Sequence, residues 1–71
     1  MQTITIHTPT LTLAQFLKEA GIVGTGGAAK WYLAENEVDI NGEADNRRGR
    51  KLTAGDVITL ADGSTYKLVQ E

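Results

Sequence analysis

The sequence predicts an α+β fold: two consecutive helices packed on a small antiparallel sheet, with elements in the order β-α-α-β-β-β-β along the chain. Three observations predict it. The opening residues QTITIH alternate polar and apolar at period two. Two central segments each carry their own helix signals, a cap at the start and a terminating residue at the end. The remainder is divided by Asn41-Gly42 and Asp62-Gly63, dipeptides suited to tight hairpin turns. Helices in succession followed by a strand meander bury their apolar faces by packing on one side of the sheet.

In the first strand, residues 2–7, Ile4 and Ile6 share one face, and Pro9 ends it. The next stretch, LTLAQFLKEAG, reads as a helix. Thr12 is its N-cap, Gln15 completes a capping box three residues on, and Leu11 is placed to staple onto Phe16. Leu13, Phe16, Leu17 and Ala20 line its buried face, Gln15, Lys18 and Glu19 face solvent, and Gly21 stops it. A second helix starts at the cap Thr25 and runs through GGAAKWYLAE, with Asn36 expected as a left-handed C-cap. Its buried face is Ala29, Tyr32 and Leu33. Trp31 lies two positions, about 200°, from both Ala29 and Leu33, so it points elsewhere.

Val38 and Ile40 then alternate with acidic neighbours and lead into the Asn41-Gly42 turn, with the basic segment NRRGRKL expected on the returning arm. Thr53-Ala54-Gly55-Asp56 is a turn before the strand VITL, and Asp62-Gly63 is the turn before a last strand over about residues 64–69.

Composition narrows the function. With 71 residues there is room for one domain, 1–71, and with no cysteine and one histidine neither disulfides nor a metal staple is available. The core must come from ordinary apolar packing, which 41% hydrophobic residues allow. The N-terminus has no secretory pattern and no run of eighteen apolar residues occurs, so a cytoplasmic protein is expected. No nucleophile, metal cluster or paired acid and base stands out: Ser64 is in a turn, and His7 has no partner set and is read as a strand-end residue. A binding module without cofactor is expected rather than an enzyme.

Two stretches carry chemistry. GTGGAAK, residues 24–30, superficially fits a dinucleotide fingerprint, but a helix precedes the glycines where that fingerprint needs a strand. What remains is a helix N-terminus at Gly26 and Gly27 with no side chains to shield its N–H groups, a setting that receives phosphate oxygens; the alternative is a plain inter-helix connection capped by Thr25. The second stretch is the basic run. Arg47, Arg48, Arg50 and Lys51 are four of the seven cations in a chain of net charge -2. Such a run can be a solvated edge that discourages sheet aggregation. Three of its cations are arginines, whose planar fork suits phosphate, and Gly49 lets a backbone approach closely. Four phosphate contacts on a single strand correspond to a slope of log affinity against log salt near about -3. Lys18 and Lys30 can extend the patch, and Trp31 stacks on an unpaired base, covers a phosphate-binding arginine, or is itself covered by the sheet or the last strand.

FLKEAGI (16–22), TGGAAK (25–30), the E-x-V-x-I-N-G-E run (37–43), RRGRKL (47–52) and GDVI (55–58) occur in order across Leu13 to Leu60. In these matches the chain resembles the RNA-binding domain of the small-subunit ribosomal protein four type, the S-four domain or alpha-L motif, and most of all its short stand-alone bacterial members. The resemblance implies binding of structured RNA, ribosomal or transfer RNA, on a surface shared by the helices and the hairpin loop, and so a possible partner in the ribosome or a ribosome-assembly particle. By position it implies RNA contacts at Thr25, Gly26, Gly27, Lys30, Arg47, Arg48, Arg50 and Lys51. Lys18 and Trp31 join the expected RNA-binding set from the residue reading. Longer relatives have an arginine shortly after the first helix where this chain has Thr25-Gly26-Gly27, and Asn36 stands where glycine is common. The acidic residues Glu35, Glu37, Asp39, Glu43 and Asp45 disfavour indiscriminate RNA binding and favour a shaped site. The competing expectation is a protein-interaction adaptor whose basic loop docks an acidic partner and whose Trp31 is the anchor.

Overall fold

Period-two alternation at the start forms strand β1 (Gln2–Ile6), followed by a two-residue strand β2 (Leu11–Thr12) and the helices α1 (Leu13–Glu19) and α2 (Gly26–Glu35). Five strands complete the chain: β3 (Asp39–Ile40), β4 (Glu43–Ala44), β5 (Lys51–Leu52), β6 (Val57–Thr59) and β7 (Thr65–Gln70). The computed structural model describes all 71 residues. A five-stranded sheet has the order β1-β7-β6-β3-β4, and β2 pairs with β5 in a separate two-stranded ladder.

The α+β class and the consecutive helices match expectation, with two differences of detail. β1 lies parallel to β7, Gln2 opposite Tyr66 and Ile6 opposite Gln70, so the sheet is mixed rather than wholly antiparallel. Alternation reports which face is buried and is silent on strand direction, and the long chain between the two strands easily supplies the crossover a parallel pair needs. The returning arm of the Asn-Gly hairpin is also shorter than expected. It ends at Ala44, and the basic segment leaves the sheet as a loop before Lys51–Leu52 pairs with Leu11–Thr12. Ladders of two residues are too short to leave a period in a sequence.

Local signals hold each helix. Thr12 Oγ1 accepts from the Gln15 N–H at 3.2 Å while Gln15 Oε1 accepts from the Thr12 N–H at 2.8 Å, a closed capping box. At the other end Gly21, at φ 75°, lets the Ile22 N–H reach the Leu17 carbonyl at 2.9 Å and its own N–H reach that of Lys18 at 3.1 Å, a Schellman stop. Thr25 caps α2 by accepting from the Ala28 N–H at 3.1 Å. Asn36 corrects the expected left-handed cap: it is extended, at φ -128° and ψ 133°. Its N–H and its Nδ2 both donate to the Tyr32 carbonyl, at 2.8 and 3.0 Å, so the side chain supplies the closure and the backbone can run straight towards β3.

The core is entirely apolar, with no buried polar or charged residue. Leu13, Phe16 and Leu17 of α1 and Ala29 and Leu33 of α2 pack with Val38, Ile40, Ile58, Tyr66 and Leu68 of the sheet side. Phe16 meets Tyr66 edge-on, with ring centroids 5.5 Å apart at 78°. Asn41 (φ 54°) and Gly42 (φ 87°) are both left-handed, as a type I′ turn requires. Asn41 also ties this turn to the next strand: Nδ2 donates to Asp56 Oδ1 at 3.0 Å and Oδ1 accepts from the Val57 N–H at 2.9 Å.

Candidate functional site

The basic loop is fastened to the start of α1. The Leu13 N–H donates to the Arg50 carbonyl at 2.8 Å and the Ala14 N–H to the Arg48 carbonyl at 3.1 Å, while Arg50 N–H returns to the Arg47 carbonyl at 3.1 Å to close a turn. Together with the Thr12 cap, this occupies the N–H groups that a helix otherwise leaves open in its first turn.

α2 contrasts with this. Its cap satisfies Ala28, and the N–H groups of Gly26 and Gly27 have no partner in the domain. Neither glycine is needed for backbone shape, since neither has positive φ. A Cβ at Gly26 would meet nothing within 4 Å, and at Gly27 only Thr25 Oγ1 at 3.9 Å. Alanine would suit a helix better by up to about 1 kcal/mol. Gly49 in the loop is likewise unconstrained, with no positive φ and open space around it.

At helical spacing Gly27, Lys30, Trp31 and Ala34 form one stripe, and all four are exposed. Trp31 is 68% exposed: neither the sheet nor the last strand covers it. Lys30 Nζ lies 5.9 Å from the Trp31 ring centroid. The stripe ends at a cleft of about 440 Å³ where Ala34 and Asn36 face Ala44, Asp45 and Asn46, the root of the basic loop. The loop root therefore adjoins the C-terminal end of α2, and Gly26-Gly27 open the other end of a helix about 15 Å long. Lys18, exposed on α1, borders a different groove of about 300 Å³ with Thr5, His7, Gln15 and Glu19. His7 Nδ1 pairs with Glu71 Oε2, both exposed.

Within the loop the cations are not equivalent. Asp45 accepts from Arg47 Nε at 3.1 Å and Nη2 at 2.8 Å, from the Arg47 N–H at 2.9 Å, and from Arg50 Nη1 at 2.9 Å. Its side chain is 9% exposed, against 69% for Arg47 and 32% for Arg50. The Arg47 guanidinium first, then the Arg47 N–H and Arg50, hold the Asp45 carboxyl well below the usual carboxylate range, and Asp45 in turn raises the Arg47 pKa. Arg48 and Lys51 are exposed and have no ion pair. In the sequence Asp45 stands out only as one of several negative charges near the basic run. The available signal was aspartate's tendency to accept the N–H two residues on, here that of Arg47.

The family model described as S4 domain matches residues 4–69. This chain belongs to the S4 domain family. The S4 match reaches into β1 and β7 as well as spanning the helices and hairpin, and so extends past both ends of the Leu13–Leu60 resemblance. The chain is 50% identical over 66 residues, 93% of its own length and 93% of the relative's, to the "Probable ribosome maturation protein RlbA" of Bacillus subtilis (strain 168). No helix of this S4 domain is long and apolar enough to cross a membrane.

Proposed function

We propose that this S4 domain binds structured RNA without catalysing a reaction, in the cytoplasm, as part of ribosome maturation. The name of the Bacillus subtilis relative, a probable ribosome maturation protein, favours the ribosomal RNA class. Phosphates meet the open N–H groups of Gly26 and Gly27 and the cations of the loop, principally Arg48 and Lys51; between them an unpaired base stacks on Trp31, beside Lys30. The observation that carries this reading is the pair Gly26-Gly27: N–H groups without partners, on residues whose lack of a side chain the fold does not require. Backbone approached closely by a ligand accounts for that choice.

Electrophoretic mobility of structured ribosomal RNA fragments across a salt series tests it. Binding that weakens with salt, and is reduced when Arg48 and Lys51 become alanine, is expected. Salt-insensitive binding, or undiminished binding by R48A/K51A, overturns the reading. Protein partners retained from nuclease-treated lysate, with no RNA bound, would favour an adaptor anchored by Trp31 instead.

A further inference from the structure

We propose that Asp45 is a positioning residue that sets the specificity of the basic loop: an internal counterion that withholds Arg47 and Arg50 from indiscriminate phosphate contact. The proposal rests on the phosphate-binding reading for the ligand that matters, while its charge argument applies to any polyanion. A carboxylate as shielded as that of Asp45 is costly unless paired, and here the two arginines supply its partners. The backbone of Asp45 is itself anchored, its N–H donating to the Val38 carbonyl at 2.9 Å. The Nε and Nη2 edge of Arg47 that grips Asp45 is the same edge that takes a phosphate bidentately. Phosphate can occupy that edge only by displacing the carboxylate, which then keeps just the Arg47 N–H and Arg50 Nη1 as partners. An RNA backbone of arbitrary shape therefore meets two unpaired loop cations, Arg48 and Lys51, rather than four.

The test compares D45N, close in size to aspartate, with E43Q, which makes the same change in net charge at an exposed residue that holds neither arginine. Two readouts are used: salt required for elution from heparin, and the slope of log affinity against log salt for a structured ribosomal RNA fragment and for an unstructured homopolymer. Release of two arginines steepens the slope in D45N by about 1.4, and strengthens homopolymer binding roughly tenfold or more at 0.1 M salt, with a much smaller change in E43Q. Equal behaviour of D45N and E43Q on heparin and RNA overturns the proposal. If circular dichroism finds D45N unfolded, single substitutions decide it: R48A and K51A each flatten the heparin salt slope more than R47A if Asp45 withholds Arg47, and equal losses overturn the idea. Should the native protein show no salt-sensitive RNA binding, the RNA function fails while the heparin comparison still decides the role of Asp45.

Discussion

The backbone N–H of Leu13 donates to the carbonyl of Arg50 at 2.8 Å, joining the first residue of α1 to the most buried arginine of the loop. One helix start is thus closed by the protein's own backbone, and the other, at Gly26-Gly27, is open.

Amide hydrogen exchange reads that difference directly. The amides of Leu13 and Ala14 are expected to be protected although they belong to a first helical turn, and those of Gly26 and Gly27 to exchange fast. Adding a binding RNA should slow the two glycine amides and shift their resonances. Protected glycine amides in the free protein would contradict the open helix end.

Alanine at Gly26, Gly27 or Gly49 separates folding from binding. Each variant should match or exceed the native protein in urea stability, the helix positions by up to about 1 kcal/mol, because the fold leaves room for a Cβ. RNA affinity should fall. A variant that loses stability and binding together would assign these glycines to the fold.

Trp31 and Phe16 should respond oppositely. Phe16 is fully buried against Tyr66, and its replacement by alanine is expected to cost about 3–5 kcal/mol by denaturant unfolding. Trp31→Ala should stay within about 0.5 kcal/mol of the native protein, as exposed positions do, while weakening RNA binding. Quenching of the single tryptophan's fluorescence by RNA gives an independent check.

Acid titration should reveal Asp45. Its folded pKa lies below the ordinary 3.8, so the unfolded chain takes up its proton first. The stabilisation is therefore complete above about pH 4 and is lost as pH falls through the depressed folded value. Urea midpoints measured from pH 5 down to pH 2 should drop less steeply in D45N than in the native protein. Parallel slopes would show that the clamp does not persist in solution.

Much of this architecture is legible in the chain because its signals are local. Thr12, Gln15, Gly21, Thr25 and Asn41-Gly42 each act within a few residues, and the helices begin where those signals place them. Trp31 was legible too, since a period of about 3.6 residues per turn already turned it from the core. What was hidden depends on partners distant in sequence or on ladders of two residues: the pairing of β1 with β7, of β2 with β5, and the docking of the loop on α1. Asn36 misled because asparagine can close a helix in two ways, by backbone or by side chain, and sequence does not choose. Asp45 was hidden because a carboxylate among arginines reads as a charge to subtract, whereas its position makes it the point around which two of them are arranged.

The parallel ladder between β1 and β7 has a kinetic consequence. Gln2 pairs with Tyr66, a separation of 64 positions, so the two strands can meet only after a loop of nearly that length is closed. Relative to closing a loop of a few residues, such a closure costs about 2–3 kcal/mol more in chain entropy. The helices and the Asn-Gly hairpin, whose contacts are short in sequence, are thus placed to form first, and the β1–β7 edge is placed to zip up last.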